Sequence, residues 1–428
     1  MKQTIETLYS IFLEHPILST DTRKIEKGSI FFALKGSNFD GNTFAKEAIQ
    51  MGAAYAVVDD VKLEQEDKML YVENVLSALQ ALGLHHRRQL NIPVLAITGS
   101  NGKTTTKELI HAVLSTTYRT FATKGNLNNH IGVPLTLLSL TKDTEIAVVE
   151  MGANHQKEIE SYCSYTEPNY GIITNIGKAH LEGFGGIEGV KKGKGELYQY
   201  LNQNGGKVFI YSNNEVLKSI TTLHDPIYYG SPGDFYSARY IDSNPMVRLE
   251  AENGDLVQSQ LTGSYNYENI LAALSIGKFF KVDPIKANKA IQDYVPSNHR
   301  SQLKVTDKNQ LIVDCYNANP TSMRLAIENF NSSEFSKKAV ILGDMYELGE
   351  ESVAEHAAIG VYLKECNFNV IFLCGEKMQE AFNYCPQAIY LPNKEKLMER
   401  LVQEELNGFA ILIKGSRGMG LESVVHLL

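Results

Sequence analysis

The sequence predicts an α/β protein of three domains. Three observations predict it: apolar runs of strand length alternate with helical segments, a glycine-rich turn joins one such run to a helix, and the texture changes near residues 90 and 296. The 428 residues leave room for two to three domains at about 150 residues each.

Composition narrows the class. Hydrophobic residues are 43% and charged residues 21%, the balance of a soluble globular chain. Lys plus Arg number 41 against 49 Asp plus Glu, a formal charge of −8. That balance lacks the basic footprint of a nucleic-acid or membrane-surface binder, so neither partner is expected. No apolar run approaches the roughly 18 residues of a transmembrane helix. The start, MKQTIETLYSIFLEH, carries acidic residues where a signal peptide needs an apolar stretch, so a cytoplasmic chain beginning near Met1 is expected. The five cysteines form no C-x-x-C pair and read as reduced, mostly buried thiols.

Residues 1–90 form the first predicted domain, a small α/β module. Its strand-like runs are Ser29–Leu34 and Ala54–Val58, and it closes on a helix over Val75–Leu90. Residues 91–296 form the second, a central parallel-sheet domain with strands at Val94–Thr98, Ile146–Glu150, Tyr170–Asn175 and Val208–Tyr211. Turn-rich β segments follow over Tyr228–Leu261, then a helix from Asn266 to Phe280. Residues 297–428 form the third, an open α/β domain with strands Leu311–Asp314, Lys338–Leu342, Val370–Cys374 and Ala410–Lys414.

The glycine-rich turn is Thr98-Gly99-Ser100-Asn101-Gly102-Lys103-Thr104-Thr105, between the strand Val94–Thr98 and a helix. Strand, glycine turn and helix make a phosphate loop: backbone N–H groups and the positive helix end face the anion. Gly99 and Gly102 let the backbone wrap closely, Lys103 would reach the β- and γ-phosphates, and the Thr104 hydroxyl would meet Mg²⁺. The strict Walker spacing is missed, because Ile97 stands where its first glycine would fall. This loop makes the central domain a P-loop ATPase domain.

Glu150 ends a buried parallel strand, where a carboxylate suits Mg²⁺; a strand-end Glu facing solvent has the same pattern. Arg300 opens the third domain, where its planar fork suits a γ-phosphate; a surface arginine fits equally.

The T-G-x-x-G-K-T-T form resembles the Mur ligase family, and segments in all three blocks extend the resemblance in order. Thr174-Asn175-Ile176-Gly177-x-x-His180 resembles the loop whose His binds a second metal ion. Lys194, followed by Leu197 and Tyr198, matches the lysine that CO₂ carbamylates in that family; Lys191 and Lys192 miss the spacing. The resemblance thus implies ATP, two Mg²⁺ ions and a carbamylated lysine as cofactors. Thr104, Glu150, His180 and Lys194 would be the metal residues, and Lys103, His180, Lys194 and Arg300 the catalytic ones.

The Asn-rich turn with Asn126, Asn128 and Asn129 corresponds to a loop that binds the nucleotide-sugar peptide. Gly263-Ser264-Tyr265-Asn266-Tyr267-Glu268-Asn269 resembles a segment whose asparagines, here Asn266 and Asn269, meet adenine; Tyr265 replaces the usual His and takes no role. Asp314 would bind ribose, with Asn317 and Asn319 framing the nucleotide. Together with Gly99, Ser100, Asn101, Gly102, Lys103, Thr104, Thr105 and Arg300 they complete the expected nucleotide site.

Thr22, Arg23 and Lys35 resemble the family's UDP-binding residues, and Lys414, Ser416 and Arg417 its K-G-S-R segment, a further substrate contact. Asp314 followed by Tyr316-Asn317-Ala318-Asn319-Pro320 marks the member that adds D-alanyl-D-alanine; the D-N-P-R segment of the diaminopimelate-adding relative is absent. The implied enzyme is a monomeric ATP-dependent ligase taking UDP-N-acetylmuramoyl-tripeptide and D-alanyl-D-alanine. Its third domain would be Rossmann-like. A folylpolyglutamate synthase-like ligase and a non-ligase nucleotide-binding module are the alternatives.

Overall fold

Alternation along single strands builds the N-terminal module. Side chains on a strand point to opposite faces in turn, and a strand covered on both faces is apolar throughout. In the strand Ile30–Phe32, Ile30 and Phe32 enter one core with Leu8, Val57 and Leu79, while Phe31 enters a second with Ala45, Ala56 and Val58. Full burial of a side chain such as Phe32 contributes about 1.5–3 kcal/mol. The computed structural model describes residues 2–221, 223–296 and 300–428. Ser297, Asn298 and His299, where the third domain is expected to open, lie outside the described residues.

The chain forms two compact units, Met1–Ala96 with Arg119–Gly152 and Glu158–Tyr170, and Ile97–Tyr118 with Ala153–Lys157 and Gly171–Leu428.

In the first unit a parallel sheet runs in the order Leu18–Ser19, Ile30–Phe32, Tyr55–Val58, Met69–Tyr71. The helix Val75–Gln89 begins at Asn74, whose side chain accepts the Ser77 N–H, one of the donors a helix start leaves unpaired. It buries Leu79 and Leu82 against the sheet. Thr120–Ala122 pairs in parallel with Ile146–Glu150, all five of whose residues are buried.

In the second unit Lys207–Tyr211, Ile227–Gly230 and Tyr236–Ser237 run parallel. An antiparallel sheet of Arg239–Ser243, Met246–Glu250 and Leu256–Thr262 follows. The helix Asn266–Phe279 is buried along Asn269–Gly277, as a helix apolar all round must be. It lies against Lys103–Ser115 so closely that a Cβ on Gly277 would stand 2.6 Å from Val113 Cγ1.

The C-terminal sheet has the order Gln302–Val305, Gln310–Asp314, Ala410–Lys414, Lys338–Gly343, Val370–Cys374, Ile389–Leu391. Only the edge strand Gln302–Val305 is antiparallel. Ile411 and Ile413 join Leu311, Val313 and Ile341 in its core. Among the described residues no helix is long and apolar enough to cross a membrane.

Candidate functional site

The phosphate loop follows the wholly buried strand Val94–Thr98 and ends at Gly102, from which the helix Lys103–Ser115 begins. Both glycines are required by geometry. Gly99 has φ 143° and a Cβ there would lie 2.0 Å from Thr174 Oγ1; Gly102 has φ 77° and its Cβ would lie 2.6 Å from Asn269 Oδ1.

The loop is tied to the segment Thr174–Gly177. Ser100 N–H donates to the Asn175 carbonyl at 2.9 Å and Asn101 N–H to Asn175 Oδ1 at 3.0 Å. Thr174 Oγ1 and Asn175 Nδ2 both donate to the Asn101 carbonyl, at 2.6 and 3.1 Å. Lys103 Nζ donates to the carbonyl of Gly99 at 2.7 Å and, more weakly, to that of Ser100 at 3.3 Å. The hydroxyl-bearing Thr104 and Thr105 are buried at the helix start.

The asparagines expected at adenine face the protein. Thr106 Oγ1 donates to Asn269 Oδ1 at 3.0 Å, Asn269 Nδ2 to Asn266 Oδ1 at 2.8 Å, and Asn266 Nδ2 to the Thr262 carbonyl at 2.7 Å. Their spacing does place them on one helix face, and there they bolt this helix to the one after the phosphate loop.

His180 has φ 53° and Glu347 φ 62°, left-handed values that non-glycine residues rarely adopt. His180 Nδ1 lies 2.5 Å from Glu347 Oε2, a close contact between the ring and the carboxyl. The His180 ring holds the Glu347 carboxyl below its ordinary range, against the opposing effect of burial. Beside it Lys178 pairs with Glu355, and its N–H donates to Thr321 Oγ1 at 3.1 Å.

Lys194 is separated from its neighbours by burial. It sits on the helix Ile187–Gln203 with no exposed surface, while Lys192 is exposed and Lys191 pairs at the surface with Glu188. Lys194 Nζ donates to the Ala153 carbonyl at 3.2 Å and lies 5.0 Å from the centre of the Phe184 ring.

Glu150, in the first unit, is 1% exposed, which excludes the solvent-facing alternative. Its Oε1 accepts Asn128 Nδ2 at 2.8 Å and its N–H donates to Thr123 Oγ1 at 2.9 Å. Of the other loop asparagines, Asn129 Oδ1 caps the next helix through the Ile131 and Gly132 N–H groups, and Asn126 is exposed. Among the described residues no three His, Cys, Asp or Glu side chains surround one point as a ready metal cage. The expected metal set has only two residues of those types.

Arg300 stacks 3.7 Å over the Tyr316 ring, and its Nε is buried without a hydrogen-bond partner among the described residues. Arg417 lies 5.1 Å from the same ring and donates to the Tyr316 hydroxyl at 3.3 Å. Tyr316 thus gathers two guanidinium groups, a role its sequence position does not announce.

Asp314, expected at ribose, meets Lys414 Nζ at 2.5 Å and accepts the Ser301 N–H at 3.2 Å. Lys414, 1% exposed, also donates to the Asn317 carbonyl at 3.3 Å. Asn317 Oδ1 accepts the Ala318 N–H, and Ser416 Oγ accepts the Tyr346 N–H at 2.9 Å. In the N-terminal module Lys35 Nζ lies 2.8 Å from Asp59. Burial raises the Asp59 carboxyl, but Lys35, Asn42 and the Val75 N–H outweigh it, leaving it below the ordinary range. Arg23 grips Asp21 through both carboxylate oxygens and draws that carboxyl down to about 2; Thr22 lies half-buried between them.

Three family models cover the chain in order: "Mur ligase family, catalytic domain" over residues 16–96, "Mur ligase middle domain" over 97–277, and "Mur ligase, glutamate ligase domain" over 299–417. The chain belongs to the Mur ligase family.

This Mur ligase is 35% identical to the UDP-N-acetylmuramoyl-tripeptide–D-alanyl-D-alanine ligase of Bacillus subtilis (strain 168), over 95% of this chain and 92% of that protein. It is also 35% identical to the ligase of the same name from Escherichia coli (strain K12), over 96% and 93%. Among solved structures it resembles a crystal structure of MurF from Acinetobacter baumannii, with 31% identity, a TM-score of 0.87, and coverage of 96% and 92%. The MurF ligase of Thermotoga maritima in complex with ADP matches with 25% identity, a TM-score of 0.84, and 96% coverage of both chains.

Proposed function

We propose that this Mur ligase joins D-alanyl-D-alanine to UDP-N-acetylmuramoyl-tripeptide in peptidoglycan precursor synthesis, converting ATP to ADP and phosphate. The observation that carries the reading is a glycine-dependent phosphate loop set in a chain that aligns over 95% of its length with a ligase of that name.

A carboxylate does not acylate an amine in neutral water, because oxide is a poor leaving group. In the proposed reaction a tripeptide carboxylate oxygen bonds to the γ-phosphorus of ATP as the bond to ADP breaks. The amine of D-alanyl-D-alanine then bonds to the acyl carbon, inorganic phosphate leaves, and the nitrogen loses a proton. Charge neutralisation and alignment supply most of the catalysis in such a transfer. The N–H groups from Gly102 to Thr105, at the start of the helix, would cradle phosphate oxygens, and Lys103 would exchange its loop carbonyls for them. Arg300, its Nε without a partner among the described residues and its guanidinium stacked on Tyr316, suits the γ-phosphate.

Mg²⁺ is part of this reading. The Thr104 hydroxyl and the buried Glu150 carboxylate are hard oxygen donors of the kind Mg²⁺ takes, and His180 would add a ligand. When bound, the ion would offset the negative charge that gathers on the phosphate oxygens.

Burial makes Lys194 the one lysine of its helix suited to become a carbamate: its Nζ would bond to the carbon of CO₂ and lose a proton. Lys194→Ala should then lose activity that a small carboxylic acid partly restores, and ¹³CO₂ should give the wild type a carbamate carbon signal that the variant lacks. An unlabelled wild type would remove the carbamate from the mechanism. The remaining assignments are proposed likewise: residues 1–90 bind the UDP substrate through Thr22, Arg23 and Lys35, 91–296 bind ATP, and 297–428 complete the ligase site with Lys414, Ser416 and Arg417. We propose the cytoplasm as the place of the reaction.

Measuring ADP release with each substrate omitted tests the reading. Release should need tripeptide and rise strongly with D-alanyl-D-alanine; release indifferent to both would overturn it.

A further inference from the structure

Asn319 sits at the start of the helix Pro320–Ser332 and uses its amide in two directions. Its Oδ1 accepts the Ser322 N–H at 2.9 Å, and Ser322 Oγ answers by accepting the Asn319 N–H at 3.1 Å, a reciprocal cap. Its Nδ2 leaves the helix and donates to Asn101 Oδ1 at 2.7 Å. Asn101 belongs to the phosphate loop, directly before Gly102 and Lys103.

The other end of the Asn101 amide, Nδ2, is buried with no hydrogen-bond partner among the described residues. The bond from Asn319 is therefore the one hydrogen bond that orients this side chain there. Two residues further on, Thr321 Oγ1 accepts the Lys178 N–H at 3.1 Å, and a Cβ on Gly177 would stand 3.0 Å from that oxygen. Gly177 in turn exchanges hydrogen bonds with Ser100, its N–H donating to Ser100 Oγ at 2.9 Å and its carbonyl accepting from it at 3.0 Å. The first turn of this helix therefore touches the phosphate loop directly through Asn319 and indirectly through Thr321.

We infer that Asn319 is a positioning residue: its amide is committed to Ser322 and Asn101, and through Asn101 it sets the phosphate loop, making the shape of the nucleotide site depend on the seating of the helix Pro320–Ser332. A hydrogen bond of this kind carries roughly a three- to tenfold change in an equilibrium constant. The inference rests on the proposed ligase function only for its consequence in turnover; its prediction for nucleotide binding stands apart.

The discriminating variant is Asn319→Ser. Serine caps a helix about as well as asparagine but is too short to reach Asn101. ADP affinity by titration calorimetry and melting temperature are measured for wild type, Asn319→Ser, Asn101→Ala, the double variant, and Asn393→Ser. Asn393 caps the helix Lys394–Gln403 and serves as a control for capping alone.

Asn319→Ser and Asn101→Ala should each weaken ADP binding roughly three- to tenfold, with the melting temperature near wild type for Asn319→Ser. The double variant should be no weaker than Asn101→Ala, because both remove the same bond. Asn393→Ser should bind ADP like wild type. Unchanged ADP affinity in Asn319→Ser, or losses that multiply in the double variant, would overturn the inference. Wild type is assayed for ligation alongside: coupled ADP binding without ligation leaves the inference standing and removes the ligase reading, whereas ligation with uncoupled binding does the reverse.

Discussion

Nδ1 of His180 stands 2.5 Å from Oε2 of Glu347, and the backbone of both residues is left-handed. Such a conformation costs a non-glycine residue roughly 1–2 kcal/mol. Two strained residues whose side chains meet point to a contact kept for what it does. A carboxylate on one ring nitrogen fixes which way the imidazole faces and leaves the other nitrogen for the site.

Glu347→Ala should therefore lower kcat by about tenfold or more, the scale seen when an outer partner of a functional histidine is lost. Glu347→Gly should lose the same activity while melting no lower than wild type, since glycine relieves the left-handed backbone. Steady-state kinetics and thermal melts check both. A Glu347→Ala enzyme with wild-type kcat would reduce the contact to a surface ion pair.

Removal of Arg300 should fall on kcat more than on the KM of any substrate, as for an interaction that strengthens in the transition state. Arg300→Lys should rescue little, because an ammonium reproduces neither the bidentate fork nor the stack on Tyr316. Tyr316→Ala should show a milder loss in the same direction. Unchanged kcat in Arg300→Ala would remove Arg300 from the γ-phosphate contact.

Burial pushes the Glu268 carboxyl up to about 7 from an ordinary 4.5. A raised carboxyl pKa means the folded state prefers the protonated form. No penalty exists below the unfolded value of 4.5; it grows as pH rises towards 7 and is constant above. Glu268→Gln should therefore match wild-type stability near pH 4 and exceed it by roughly 3 kcal/mol above pH 7. Denaturant unfolding across that range tests it, and a pH-independent difference would refute the shift.

The fold was legible where period and burial agree. Val94–Thr98 and Ala410–Lys414 are apolar runs buried on both faces, and both strands have the predicted bounds. The edge strand Gln302–Val305 was not foreseen: it pairs on one side only, so its polar residues carry no strong pattern. At the site, only the family resemblance singled out Lys194 from Lys191 and Lys192; burial sets it apart from them as well. Asn266 and Asn269 were correctly placed on one face, but spacing alone does not say that the face meets another helix. Glu347, Tyr316 and the Asn101–Asn319 bond were invisible because each joins segments distant in sequence. Nothing local marks such a partner.

The acyl transfer itself is tested most directly with tripeptide substrate carrying ¹⁸O in its reacting carboxylate. Mass spectrometry would follow the UDP-linked product and the released phosphate together. The UDP product should gain D-alanyl-D-alanine and lose one ¹⁸O, with that atom appearing in inorganic phosphate. Product without label transfer would contradict the acyl phosphate, and ATP turnover with no D-alanyl-D-alanine joined to the UDP substrate would contradict the ligase function itself.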